Sequence, residues 1–240
     1  MLEGLNLTKR FGALTALSNI CFKISKGEIV GLIGPNGSGK TTLFNILSGY
    51  YRPDVGRVNF MGHDITGLPP HKICRMGLAR TFQIPRPFLE MSVLENVIVG
   101  ALYGANKSMS ESRDETLAAL CFVGLEKKKD VLAQHLNVCE RKFLEIARCL
   151  ATKPKILLID EPLSGLNPKE IIYAKEVIRR IRDELGITVF WIEHIMRALS
   201  GVVDRVIVLN QGEKIAEGSF EEVTKSPRVI EAYLGERWLL

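Results

Sequence analysis

The fold of this chain is decided by the stretch Gly34-Pro35-Asn36-Gly37-Ser38-Gly39-Lys40-Thr41-Thr42. It fits the pattern G-x-x-x-x-G-K-[ST], in which glycine-rich backbone surrounds a phosphate group. The apolar run at 29–33 predicts a buried strand before the loop, and residues 42–47 predict a helix after it. Because this strand–loop–helix order is the context that the pattern requires, we favour a phosphate-binding loop over a simple glycine-rich turn.

Each residue type in this loop suits the binding of a nucleotide. Gly34, Gly37 and Gly39 let the backbone turn tightly and direct N–H groups at an anion. The N-terminus of the following helix adds partial positive charge. Lys40 is expected to reach the β- and γ-phosphates, and the hydroxyl of Thr41 is expected to bind Mg²⁺.

Composition bounds the class of protein. At 240 residues the chain can form one large domain or one domain with an insertion, and its 46% hydrophobic and 25% charged residues are ordinary for a globular protein. We find no apolar run of membrane-spanning length and no signal-peptide pattern, so we expect a cytosolic chain that reaches a membrane only through a partner. Aromatic residues do not interleave with the basic clusters at 127–129 and 179–182, so nucleic acid is not an expected partner.

The five cysteines are odd in number and form no C-x-x-C pair. Zinc binding is therefore not expected, and we predict reduced thiols that are mostly buried.

The pattern along the chain predicts an α/β fold with a helical insertion. Strands are predicted at 2–8 and 20–25 around a loop at 10–12, at 58–65, at 78–82, at 155–160 and at 187–192, with a hairpin around 210–212. Helices are predicted at 92–102, 110–124, 138–152 and 168–185, with two more at the end of the chain. Strands that alternate with helices indicate a largely parallel sheet.

Polar residues after predicted strands complete a candidate site. Asp160 ends an apolar strand and suits Mg²⁺ coordination, and Glu161 is placed to polarise an attacking water. His194 follows another strand, which we expect to end at the same crevice, within reach of the γ-phosphate. Gln83, after the strand ending at Phe82, is similarly placed near Mg²⁺ and water. Without the phosphate loop, each of these would be read as polar surface.

The order of these motifs, together with Ser164-Gly165-Leu166-Asn167, resembles the ATPase domain of ABC transporters over essentially the whole chain. The resemblance implies an ATP-binding core with an antiparallel β subdomain (1–83 and 153–240) and a helical subdomain (84–152). It places Phe11 where an aromatic stacks on adenine and Gln83 at the loop that couples to membrane subunits. It also implies a second ATPase subunit and permease subunits as partners, with an extracytoplasmic solute-binding protein acting indirectly. The chain would then lie at the cytoplasmic face of the membrane.

A narrower resemblance concerns the solute. The segments at 77–83, 91–100 and 226–236 are similar to ATPases of branched-chain amino-acid importers. Urea-importer ATPases are near relatives, so urea or another small solute stays open. The apolar segment at 84–91 is expected either to dock a permease helix or to fold into the protein's own core.

The family signature Leu-Ser-Gly-Gly-Gln, which contacts the ATP held by the opposite subunit, is altered here. The equivalent residues are Leu136-Asn137-Val138-Cys139-Glu140. Asn137 with Glu140 predicts a capping box, so the helix should still begin there. Val138 lacks the backbone freedom of glycine, and Glu140 adds negative charge where an anion should bind. We therefore expect a weakened composite site and favour a heterodimer over a homodimer.

Three rival functions are weighed against an ABC importer ATPase. A soluble ABC-type ATPase acting on nucleic acid or ribosomes would be expected to have tandem ATPase domains or a strongly basic arm, and the sequence indicates neither. A non-catalytic nucleotide-binding subunit is favoured by the altered signature and disfavoured by Glu161. A kinase would need a phosphate-acceptor pocket and a lid, and the helical block at 83–152 fits the helical subdomain of an ABC ATPase better.

Overall fold

The computed structural model describes residues 1–105, 108–194 and 196–234. Its strands are β1 (Leu2–Phe11), β2 (Leu14–Ile24), β3 (Ile29–Ile33), β4 (Val55–Phe60), β5 (His63–Asp64), β6 (Leu78–Arg80), β7 (Ile156–Asp160), β8 (Thr188–Ile192), β9 (Arg205–Asn210) and β10 (Glu213–Gly218). Its helices are α1 (Lys40–Leu47), α2 (Pro70–Met76), α3 (Val93–Gly104), α4 (Met109–Phe122), α5 (Val138–Ala151), α6 (Pro168–Asp183), α7 (Met196–Leu199), α8 (Phe220–Thr224) and α9 (Pro227–Leu234). The chain divides into two compact units: a first unit of Met1–Pro70 with Thr188–Leu240, and a second unit of His71–Ile187.

The first unit combines antiparallel and parallel strands. β1 pairs antiparallel with β2 and β4, and β5 continues this sheet beside β4. β3 runs parallel between β8 and β9, and β10 is antiparallel to β9. Every residue of β3 and β8 is buried, as is usual for parallel strands covered on both faces. Phe190 of β8 anchors the core, with its ring centre 5.1 Å from that of Phe44 and 5.7 Å from that of Phe22.

The second unit is mainly helical. β6 and β7 form a parallel pair, and α3, α4 and α5 pack on one another. Each of these three helices begins with a capping box, in which a Ser or Asn side chain and a Glu three residues later satisfy each other's backbone N–H groups. Most residues of α5 are buried, so it is the central helix of the unit.

The predicted α/β fold with parallel strands and an antiparallel sheet is confirmed, and several details of the prediction are wrong. The strands predicted at 2–8 and 20–25 are longer, because the hairpin reverses tightly at Gly12, whose φ is +59°. Phe11 therefore ends β1 instead of lying in a loop. The short helices α2 and α7 were not predicted. Nor are the cysteines mostly buried, since this holds only for Cys149 and all five are free thiols. Among the described residues, no helix has the length and apolar character needed to cross a membrane.

Candidate nucleotide-binding and hydrolysis site

The phosphate loop joins the end of β3 to α1 in the first unit. Gly39 is the N-cap residue of α1, and the Gly212 N–H donates to the Ser38 carbonyl (3.1 Å). The Gly212 carbonyl in turn accepts from the Ser18 N–H (2.8 Å). The β9–β10 turn and strand β2 thus fix the loop from outside.

The three loop glycines are required for different reasons. Gly34 and Gly39 have φ of +154° and +102°, and an added Cβ would lie 2.1 Å from the Leu209 carbonyl and 2.7 Å from the Ala16 carbonyl, respectively. Gly37 has φ of +78° but open space around its Cβ direction. Gly34 and Gly39 are therefore demanded by crowding against backbone, whereas Gly37 is demanded by its dihedral angle alone.

Lys40 lies on its own loop. Its ammonium donates to the carbonyls of Gly34 (2.7 Å) and Pro35 (3.0 Å) and contacts the Ser38 hydroxyl (3.4 Å), and the residue is buried. Thr41, by contrast, is exposed in the first turn of α1. The loop therefore concentrates a fixed positive charge, backbone amides and an accessible hydroxyl, which suits an anionic ligand.

Two other predicted residues belong to the same unit. His194 follows Glu193, whose N–H donates to the Leu32 carbonyl (3.2 Å), so His194 and the phosphate loop lie at the same edge of the parallel strands. Phe11 is 43% exposed, and its ring packs edge-on against Tyr51 at 5.3 Å. A half-exposed aromatic held in this way suits stacking, while its contact with adenine stays a prediction.

In the second unit, Asp160 ends β7 as predicted and forms a buried ion pair. Its carboxylate lies 3.0 Å from Arg80 Nη2, with side-chain exposures of 2% and 5%. The Asp160 N–H donates to the Thr81 hydroxyl (3.1 Å). Since two desolvated charges hold each other, the Asp160 side chain has a fixed orientation.

Glu161 and Gln83 are brought together in this unit. Gln83 Nε2 donates to Glu161 Oε2 at 2.7 Å, and Lys142 Nζ donates to the Glu161 carbonyl at 2.8 Å. Glu161 is 5% exposed and has a φ of +48°, a left-handed conformation uncommon outside glycine. Strained backbone of this kind persists only where surrounding contacts fix it, and it is frequent at functional sites.

Three charged residues that contact Asp160, the Glu161 carbonyl or the Phe82 amide were not predicted from the sequence: Arg80, Lys142 and Glu145. Glu145 of α5 is buried and accepts from the Phe82 N–H (3.0 Å). Burial raises the pKa of Glu145 to about 7, although the Phe82 amide and the charges of Arg148 and Lys142 oppose the rise. For Lys142 and Glu145, the available signal was the presence of charges in a helix that is otherwise mostly buried, because such charges need partners.

The altered signature begins α5 with the predicted capping box. Asn137 Oδ1 accepts from the Glu140 N–H (2.9 Å), and Glu140 Oε2 accepts from the Asn137 N–H (3.1 Å). Glu140 also forms an ion pair with Lys128. Val138 is 58% exposed. Burial, followed by the nearby Glu170 carboxylate, raises the pKa of Cys139 to about 11, so this thiol stays protonated at neutral pH.

The segment at 84–91 is tied down through its backbone and exposed through its side chains. Asn96 accepts from the Phe88 N–H (2.8 Å) and donates to the Phe88 carbonyl (2.9 Å). Ile84, Phe88 and Leu89 are 73%, 46% and 47% exposed. Folding into the protein's own core is therefore wrong for these three side chains.

Comparison with known proteins identifies the family. Residues 17–164 match the family model described as ABC transporter. The chain belongs to the ABC transporter family. Residues 213–238 match a second model, described as branched-chain amino acid ATP-binding cassette transporter.

Individual relatives of this ABC-type ATPase support the same family assignment. It is 42% identical over 244 residues to the high-affinity branched-chain amino acid transport ATP-binding protein LivG of Salmonella typhimurium, covering 96% of each chain. It resembles the crystal structure of the ADP conformation of MJ1267, an ATP-binding cassette of an ABC transporter (34% identity, TM-score 0.88, 98% and 99% coverage). It also resembles a dimeric post-hydrolysis structure of the cassette MJ0796 bound to ADP and Pi (27% identity, TM-score 0.83, 92% and 99% coverage).

The residues of this ABC-type ATPase fit Mg²⁺ chemically. The Thr41 hydroxyl, the Asp160 carboxylate and the Gln83 amide oxygen are hard oxygen donors. Across residues 1–105, 108–194 and 196–234, no group of three or more His, Cys, Asp or Glu side chains could hold a metal.

The glycine geometry gives a first prediction. We expect Gly37→Ala to lower the free energy of unfolding by about 1–2 kcal/mol, the cost of a left-handed residue that carries a Cβ. Gly39→Ala should cost more, because the Ala16 carbonyl must also move. Urea unfolding of the two variants measures the difference, and equal midpoints would contradict the crowding explanation.

The raised pKa of Glu145 gives a second prediction. Since its folded pKa of about 7 exceeds the ordinary value of 4.5, the folded state binds more protons between these pH values. The free energy of unfolding therefore falls as pH rises through this window, by no more than about 3 kcal/mol. Glu145→Gln lacks this loss, so wild type should lose stability relative to the variant between pH 5 and pH 8. Urea unfolding of both at each pH tests this, and a constant difference would refute it.

Proposed function

We propose that this chain is the ATP-hydrolysing subunit of an importer for branched-chain amino acids. The match of residues 213–238 to the branched-chain family model carries the solute class, and the 42% identity to LivG supports it. In the assembled transporter, this subunit would lie peripherally on the cytoplasmic side of the membrane, where its permease partners would hold it.

ATPase assays of the transporter reconstituted with its permeases test the solute class. A solute-binding protein loaded with leucine, isoleucine or valine should stimulate ATP hydrolysis, whereas urea should not. Stimulation by urea alone would replace the branched-chain assignment with the urea alternative.

The residue roles follow from the chemistry of each group. Lys40 and the amides of Gly34–Thr42 bind the phosphates and stabilise charge that develops on the transferred phosphoryl group. Glu161 orients and deprotonates the attacking water, and Gln83 holds Glu161 and senses the γ-phosphate. His194 fixes the closed state, and Phe11 stacks on the base.

Mg²⁺ would be held by Thr41, Asp160 and Gln83. Bound there, the ion would supply positive charge that offsets the negative charge of the phosphates. The buried ion pair with Arg80 holds the Asp160 carboxylate in a fixed orientation for this role.

The partners proposed are a second ATPase subunit and transmembrane permease subunits, with an extracytoplasmic solute-binding protein acting indirectly. The dimeric structure of the MJ0796 cassette, which is bound to ADP and Pi, supports an ATPase pair. In the proposed pair, two ATP molecules would lie between the two subunits. The exposed apolar side chains at 84–91 support docking of a permease helix. The altered signature favours a partner with an intact one, and hence a heterodimer.

Removal of the base gives a third prediction. Glu161→Gln should lower kcat by about 100-fold or more, the usual contribution of general-base catalysis, while nucleotide affinity persists. Light scattering with Mg-ATP should then report whether a stable dimer forms. The control Glu184→Gln removes an exposed carboxylate that pairs with Arg180 at the helix surface, and it should hydrolyse ATP normally. Normal hydrolysis by Glu161→Gln would exclude this role.

The altered signature gives a fourth prediction. In wild type, Glu140 places a carboxylate at the N-terminus of α5, where an anion would otherwise meet the helix dipole. Replacing 137–140 by Ser-Gly-Gly-Gln should therefore raise ATP hydrolysis of the assembled complex. An unchanged rate would show that the native sequence does not limit the composite site.

A further inference from the structure

Helix α5 carries three charged residues at a spacing of three, and each holds a backbone atom outside the helix. Lys142 Nζ donates to the Glu161 carbonyl (2.8 Å), and Glu145 Oε2 accepts from the Phe82 N–H (3.0 Å). Arg148 Nη1 donates to the Arg86 carbonyl (3.0 Å). The three side chains thus connect α5 to both segments that contain the proposed hydrolytic residues.

Glu145 has the most direct connection to Gln83. Its partner Phe82 precedes Gln83 in the chain, and Gln83 Nε2 reaches Glu161 at 2.7 Å. A hydrogen bond to the Phe82 N–H constrains the peptide that joins Phe82 to the preceding residue, and so limits where the Gln83 side chain can start. Lys142, one turn earlier on α5, holds the backbone of Glu161 itself.

We propose that Glu145 is a positioning residue for ATP hydrolysis, which fixes the backbone at Phe82 and thereby holds the Gln83 amide against Glu161. This inference rests on the proposed roles of Gln83 and Glu161. It adds a group of α5 that acts on them through the backbone without itself touching the nucleotide.

The environment of Glu145 supports a role beyond packing. The residue is 6% exposed, and burial raises its pKa in spite of the nearby charges of Arg148 and Lys142. Burying a carboxyl group whose hydrogen bond goes to a loop amide costs more free energy than burying an apolar side chain at the same position. An apolar residue would fill it at lower cost but could not hold Phe82.

Two conservative variants separate hydrogen bonding from charge. Glu145→Gln keeps an acceptor oxygen at the same reach, so kcat of the assembled transporter should stay within about threefold of wild type. Glu145→Asp keeps the charge but withdraws the oxygen by one methylene, and kcat should fall about tenfold or more with KM for ATP unchanged. Leu150→Ala, which opens a cavity elsewhere on α5, controls for loss of stability.

Coupling to Gln83 and exchange of amide hydrogens complete the test. In a Gln83→Ala background, Glu145→Asp should cause no further loss of kcat. Hydrogen exchange over residues 82–86 of the purified chain should quicken in Glu145→Asp but not in Leu150→Ala.

Any of three results would overturn the inference. The first is that Glu145→Asp retains kcat while Glu145→Gln loses it, and the second is that the losses of kcat are additive when Gln83→Ala and Glu145→Asp are combined. The third is unchanged hydrogen exchange at residues 82–86 in Glu145→Asp. Normal kcat in Gln83→Ala alone would instead refute the proposed role of Gln83, which keeps the two failures distinct.

Discussion

Both units face the same physical constraint, which is to satisfy backbone carbonyls where a buried parallel strand ends in a functional loop. Such carbonyls are costly if they are left unpaired. In the first unit Lys40 satisfies those of Gly34 and Pro35, and in the second unit Lys142 satisfies that of Glu161. Each lysine is nearly buried, so one side chain both stabilises a strained loop and brings positive charge to it.

In the second unit, the neighbouring acids Asp160 and Glu161 have different kinds of partner. Asp160 pairs with the guanidinium of Arg80, which fixes the direction of its carboxylate. Glu161 faces the amide of Gln83, a neutral donor that orients the carboxylate without cancelling its charge. The two neighbouring acids therefore differ in their partner, which is a charged guanidinium for the proposed metal ligand and a neutral amide for the proposed base.

The sequence predicted those parts of the site whose chemistry requires fixed residue types at fixed spacing. The loop at 34–42 and the capping box of Asn137 are of this kind, because their partners are local in the chain, and the position of Asp160 is marked by the apolar strand that it ends. Arg80, Lys142 and Glu145 could not be assigned in this way. Their partners lie 80, 19 and 63 residues away, and two of these partners are backbone atoms that carry no sequence signal.

The elements of the fold show the same division. Helices α3, α5 and α6 were predicted within a few residues, because capping residues and apolar periodicity mark them locally. The extent of β1 and β2 was not, since exposed residues, including the apolar pair Phe11 and Leu14, continue the pairing up to the turn at Gly12. Pairing of this kind is set by the partner strand and not by the composition of either strand alone.

The beginning of α5 shows how local stability and function can conflict. Asn137 and Glu140 satisfy the first amides of the helix, and Lys128 compensates the carboxylate, so the helix begins stably without any ligand. The same carboxylate occupies the positive end of the helix dipole, which reduces its attraction for a phosphate from another subunit. The phosphate loop of this chain carries no such carboxylate and has Lys40 fixed on it. The phosphate loop is therefore better suited to hold an anion than the start of α5, and this difference is the physical basis for the proposed pairing with a subunit that has an intact signature.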